Sequence, residues 1–300
     1  MPGLSASRRW RARRLAAALA AAVLALASAF PALAVPPVWT VRSANATLVL
    51  FGSVHLLPPG LDWRPPALDA ALEGADEVWF ELPIDAQTDE LAAAVAQRRG
   101  SLPHGRRLSA LLTPDEAGRL AAAAAALNCP LEALERMQPW MADLTLSVAD
   151  DARSGANASD GVEEAIQRQA PAPVQRRAFE TPEQQINFLA GALRADQIAS
   201  LDWTMGEIVD DPGAYARVVD EWMSGDIAGL ERDADHSLFS VSPGLYRRLV
   251  TDRNRRWAQV LAARLSRPGK IVVVVGVGHL IGVGGVPALL RERGFAVEGP

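Results

Sequence analysis

"IVVVVGVGHLIGVGG", residues 271–285, is the stretch that decides the fold. Ile271–Val275 is an unbroken run of β-branched apolar side chains, the pattern of a strand buried on both faces. His279 follows three places after Gly276, where the chain leaves that strand. Near the other end, "LFGSVHLLPPG" (50–60) builds the same corner: a strand over Thr47–Phe51, then His55 three places after Gly52. The chain has four histidines, so half of them occupy Gly-x-x-His corners behind apolar runs. Glycine there permits a tight exit from the strand.

Between the two corners, Glu77–Leu82 (EVWFEL) reads as a second strand and Pro66–Gly74 as a short helix closed by Gly74. Strand, helix and strand in that order favour a parallel pair with a right-handed crossover. The C-terminal part repeats the plan, with a helix over Pro287–Arg293 and a last short strand over Phe295–Val297. The stretch from about 84 to 260 reads as mostly helical. Thr113-Pro114-Asp115-Glu116 and Thr181-Pro182-Glu183-Gln184 are helix starts, the second with capping-box spacing. Residues 151–160 (DARSGANASD) read as a polar loop, and 247–265 as one helix with Leu249, Val250, Trp257, Val260, Leu261 and Leu265 on its apolar face. The expectation is an α/β fold: a mixed central sheet split between N- and C-terminal parts, with a large helical insertion that can cover one face.

The first 34 residues read as a signal peptide. Five arginines between 8 and 14 precede an apolar run over 15–30, and Ala32-Leu33-Ala34 suits cleavage after Ala34. At about 16 residues, that run is short for a membrane span. Arg8-Arg9 leaves Sec and twin-arginine export both open. The expected mature chain, 35–300, is one domain, periplasmic or secreted, with no further segment of spanning length. It carries 25 basic against 35 acidic residues, a balance that argues against nucleic acid as a partner. The lone Cys129 cannot form an internal disulfide and reads as a packing residue. No feature sets an oligomeric state.

Ligands of open parallel sheets bind at the carboxyl ends of strands. If the strands are neighbours, His55, His279 and Glu81 meet in one crevice. Two imidazoles and a carboxylate suit a divalent metal, and they equally suit a general base with its partners. His104 and His236 sit in polar loops and read as solvated. Gly276-Val277-Gly278 followed by Gly282 resembles a dinucleotide fingerprint, but too little chain follows it for the acidic ribose contact. There is no His-Glu-x-x-His, no Walker sequence and no Gly-x-Ser-x-Gly elbow.

Five stretches in order resemble the TraB/GumN family, whose animal relatives include the Tiki Wnt-cleaving proteases. They are "LVLFGSVHLLPPG", "EVWFELP", "DGVEEAIQRQAPAPVQRRAFETPEQQINFL", "LVTDRNRRWAQVL" and "VVVVGVGHLIGVGGVPALLRERGFAVE". The resemblance implies a fold related to erythromycin esterase and haem-uptake ChaN proteins. It also implies a metal-dependent, peptidase-like hydrolase whose centre falls at Gly52, His55, Glu81, Gly276 and His279. Arg253 and Asn254 match the family's Arg-Asn pair, and Glu180 its later glutamate. At Glu163 the family more often has aspartate. His55, His279 and Glu81 would hold Mn²⁺, Co²⁺ or Zn²⁺, with Glu180 or Glu163 as base and Arg253 stabilising an oxyanion. The competing expectations are a metal-free esterase with a histidine base, and a haem- or polymer-binding envelope protein. The substrate, a peptide or a small molecule, does not follow from the resemblance.

Overall fold

The computed structural model describes residues 35–300, without the side chains of 234–237. The leader read at 1–34 therefore lies outside the described residues, and so does the side chain of His236. Six strands form one mixed sheet: β1 (Val38–Arg42), β2 (Ala46–Ser53), β3 (Glu77–Phe80), β4 (Gln175–Ala178), β5 (Gly269–Gly276) and β6 (Ala296–Glu298), in the spatial order β4-β3-β5-β2-β1-β6. The apolar runs of β2 and β5 lie side by side and parallel over eight residues, Ala46 opposite Gly269 and Ser53 opposite Gly276. β2 is buried at all but one residue and β5 throughout Ile271–Val275, as continuous apolar runs in a parallel sheet should be. β3 lies parallel to β5 on its other side, and β1 and β6 add an antiparallel edge.

Two strands differ from the sequence expectation. Thr47–Phe51 is not the first strand: β1 precedes it and forms a hairpin with β2 through Ser43. β4 interrupts the supposedly helical insertion and pairs parallel to β3. Its sequence, QRRA, carries no apolar alternation because three of its four residues are exposed at the sheet edge.

Ten helices of seven residues or more accompany the sheet among the described residues: α1 (Pro66–Glu73), α2 (Ala86–Gly100), α3 (Pro114–Ala126), α4 (Pro139–Arg153), α5 (Val162–Gln169), α6 (Pro182–Ala190), α7 (Arg194–Asp210), α8 (Ala214–Ser224), α9 (Asp252–Arg264) and α10 (Val286–Glu292). Thr113 and Thr181 both close capping boxes, with Glu116 and Gln184 reaching back. α4 runs three residues into the expected 151–160 loop. The helix expected over 247–265 opens as a π turn over Arg247–Thr251 before α9 begins. The buried face of α9 is therefore Arg253, Asn254, Trp257, Ala258 and Leu261, while Val260 points to solvent.

The sheet and its flanking helices share one core. A second apolar cluster lies wholly in the insertion, where Leu120, Leu134, Leu146, Leu201 and Met205 meet and Cys129 packs at the margin. No helix among the described residues is long and apolar enough to cross a membrane.

Candidate active site

Four neighbouring parallel strands end at one level. The register of β2 and β5 sets the two corners side by side, Ser53 opposite Gly276. Glu81 follows β3, and Glu180 follows β4 with its N–H on the Glu81 carbonyl at 3.0 Å. The two corner glycines act across the gap rather than on their own backbones, since neither has a positive φ. A Cβ on Gly52 would stand 2.8 Å from Val277 Cγ2, and one on Gly276 would stand 3.3 Å from both His55 Nε2 and Glu81 Oε1. Each motif's glycine makes room for the other motif.

The first corner is held by side chains and backbone of the insertion. Trp222 Nε1 donates to Gly52 O (2.8 Å), Val162 N to Val54 O (3.2 Å) and Tyr215 Oη to Leu56 O (2.8 Å). Leu57 and Asn157 exchange backbone bonds, and a Cβ on Gly161 would fall 2.0 Å from the His55 carbonyl oxygen. Buried carbonyls need such donors. Gly161 and Val162 belong to the family-like stretch that begins DGVEE, whereas Trp222, Tyr215 and Asn157 carry no motif that marks them in the sequence.

His279 is buried, and its tautomer follows from the hydrogen-bond network. Asn254 Nδ2 donates to Gly284 O (2.9 Å), which turns Asn254 Oδ1 toward His279 Nδ1 at 2.6 Å. Nδ1 therefore carries the proton, and Nε2 accepts from Arg253 Nη1 at 3.0 Å. Burial pushes the His279 imidazole down to about 3, against the pull of Glu81, so the ring is neutral. Glu81 Oε1 lies 3.7 Å from His279 Nε2. Burial would raise the Glu81 carboxyl, but Arg253, the two histidines and the Gly276 N–H (2.8 Å) together hold it well below the usual carboxylate range.

Arg253 has no idle N–H. Nε and Nη2 engage Glu180 at 2.9 and 2.8 Å, Nη2 also reaches Glu81 Oε2, and Nη1 serves Leu249 O and His279 Nε2. Trp257 and Phe188 flank the guanidinium, with ring centroids 4.7 and 5.5 Å from Cζ. With all five donors committed, Arg253 holds three site residues together, and the oxyanion role read for it would need one of those donors released. Glu180 is likewise not a free base, being taken up by Arg253 and by Trp257 Nε1 at 3.1 Å.

His55 differs from His279. More than half of its side chain is exposed, and its Nδ1 lies 2.8 Å from Glu163 Oε1. The Glu163 charge raises the imidazole well above its ordinary range. Glu163 thus tethers His55 and is not an unengaged base. Asp151, in the stretch read as a polar loop, is close enough to feel the His55 charge; burial and Asp150 push its carboxyl up to about 6. Asp151 and Tyr215 line a small cleft of about 200 Å³ on this side. The larger cavities, of 730, 590 and 560 Å³, are lined by none of His55, Glu81 or His279. His104 is exposed in its loop.

Residues 37–299 match the TraB/PrgY/gumN family model, from the start of β1 to the end of β6. The chain belongs to the TraB/PrgY/gumN family. No curated protein and no solved structure matches it. In this TraB/PrgY/gumN chain the two Gly-x-x-His corners, the glutamate after β3, the Arg-Asn pair of α9 and Glu180 meet at one end of one sheet. Among its described residues, no three His, Cys, Asp or Glu side chains stand as they lie in an arrangement that would hold a metal ion.

Proposed function

We propose that this chain is a metal-dependent, peptidase-like hydrolase of the cell envelope, with a divalent cation (Mn²⁺, Co²⁺ or Zn²⁺) held by His55, His279 and Glu81. One observation carries the reading. Both imidazoles have Nδ1 tied to an oxygen acceptor, Glu163 or Asn254; His279 Nε2 lies 3.7 Å from Glu81 Oε1, and His55 Nε2 borders with Glu81 Oε1 the space left by the missing Cβ of Gly276. That is how proteins prepare histidines as metal ligands, with the outer partner fixing tautomer and ring direction.

The donor set fits a cation by its chemistry, on one condition. Arg253 Nη1 must give up His279 Nε2, and it keeps Leu249 O when it does. A bound cation would lower the pKa of a water molecule and polarise a substrate carbonyl. The chain's own residues do the rest. Asn254 keeps the proton of His279 on Nδ1, Glu163 directs His55, and Arg253 keeps Glu81 ionised and still. The 1–34 leader supports export, so substrates are to be sought among peptides and small molecules of the envelope rather than nucleic acid.

A second reading has its own support. Arg253 already closes on His279 and Glu81, leaving the half-exposed His55, with Glu163 behind it, as the base of a metal-free esterase that works at alkaline pH, where the raised imidazole has lost its proton. Metal analysis of the tag-free protein beside its His55→Ala/His279→Ala variant separates the two. About one ion per chain, lost in the variant, is expected of a metal centre with three protein ligands. If neither protein takes up Mn²⁺, Co²⁺ or Zn²⁺, the metal reading falls, and ester turnover that persists in chelator establishes the second.

A further inference from the structure

Ser53 has no part in either reading above, yet it is the last residue of β2 and only 2% exposed. A buried hydroxyl is costly unless it is hydrogen-bonded. Its acceptor is Glu163 Oε1, at 2.5 Å, the same oxygen that His55 Nδ1 meets at 2.8 Å. Two donors from one corner converge on one carboxylate oxygen.

We propose that Ser53 is the positioning residue of the first corner: it fixes Glu163, and through Glu163 it fixes the ring of His55. Glu163 stands in the first turn of α5, on a side chain with three rotatable bonds. A single bond from the half-exposed His55 would let carboxylate and ring swing together. Ser53 is anchored in the sheet, in register with Gly276, so its hydroxyl is a point that does not move. Gly276 is also where the missing Cβ leaves room for His55 Nε2. One rung of the β2–β5 ladder therefore fixes both ends of the imidazole. The same geometry excludes Ser53 as a nucleophile. Its proton is directed at a carboxylate, while His55 Nε2 faces the other way and Nδ1 already donates to that carboxylate.

The proposal rests on His55 being a working residue of the site, and its test reads the tether separately from turnover. In metal-free protein, the His55 Nδ1–H held by a carboxylate should give a downfield proton resonance, assigned by its disappearance in His55→Gln. Ser53→Ala should broaden that resonance or move it upfield, and Ser53→Thr, which restores the hydroxyl, should return it. Mn²⁺ affinity should fall roughly tenfold in Ser53→Ala and recover in Ser53→Thr, the low end of losses seen when outer-shell partners of metal ligands are removed. If the alanine variant does not fold, Ser53→Cys keeps the volume with a much weaker donor and should give the same shift. A folded alanine or cysteine variant with the wild-type resonance overturns the proposal. A resonance that moves in a protein taking up no Mn²⁺ upholds Ser53 and removes the metal reading alone.

Discussion

Arg253 shows at the scale of one residue what a buried charge needs. Its five donors, two carboxylate partners and two aromatic walls make it the best-satisfied group of the site. Arg253→Met would fill similar space but leave Glu81 and Glu180 as buried carboxylates without their cation. Breaking such a buried pair from one side costs about 3–5 kcal/mol, which denaturant unfolding of the variant should register. Gly276→Ala tests the opposite kind of residue. Its Cβ would stand 3.3 Å from His55 Nε2 and Glu81 Oε1, so we expect a folded protein whose Mn²⁺ binding is lost. Gly52→Ala should be worse for the fold, because its Cβ meets the Val277 backbone at 3.0 Å as well as its side chain. Overpacking of that kind costs about 1–3 kcal/mol, read as a lower unfolding midpoint.

At the scale of elements, the parallel β2–β5 pair brings two distant corners together, and α9 brings Arg253 and Asn254 down onto them. This much was legible in the sequence, because buried parallel strands are written as apolar runs and each histidine stands a fixed step beyond one. β4 was not legible: an edge strand of glutamine and arginines has no pattern to betray it, so Glu180 could be matched to a family motif but not placed at a strand end. The clamp on the first corner was equally hidden. Trp222 and Tyr215 act by single hydrogen bonds to backbone carbonyls and Asn157 by a pair of backbone bonds with Leu57, and such contacts leave no periodicity. The family-like stretch contains Gly161, but no spacing in the sequence announces that it lies against the His55 carbonyl. Gly161→Ala should therefore pry the start of α5 away from the corner. Hydrogen exchange should quicken at Val162 and Leu57 while β5 stays protected, since local openings are set by local contacts.

The whole molecule should feel the site through pH. His55 and His279 start from the same ordinary value, 6.5, and move in opposite directions on folding. Folded His279 goes down to about 3, so below 6.5 the unfolded chain takes up a proton that the folded one refuses, and stability falls as the pH drops. Glu81 steepens this acid limb, because its folded carboxyl is held low and its contribution, present above 4.5, is lost on further acidification. Folded His55 is raised to about 9 by Glu163, so its contribution is complete below 6.5 and is lost as the pH rises through 9. The two limbs meet near pH 6.5. The exposure of the His55 ring keeps the alkaline limb the shallower of the two. Thermal melts in chelator from about pH 5 to about pH 10 should therefore peak near neutrality on its acid side. His55→Gln should flatten the alkaline limb and leave the acid limb in place. A variant that kept both limbs would mean that the His55–Glu163 pair is not closed in solution, and with it the tether on which the first corner depends.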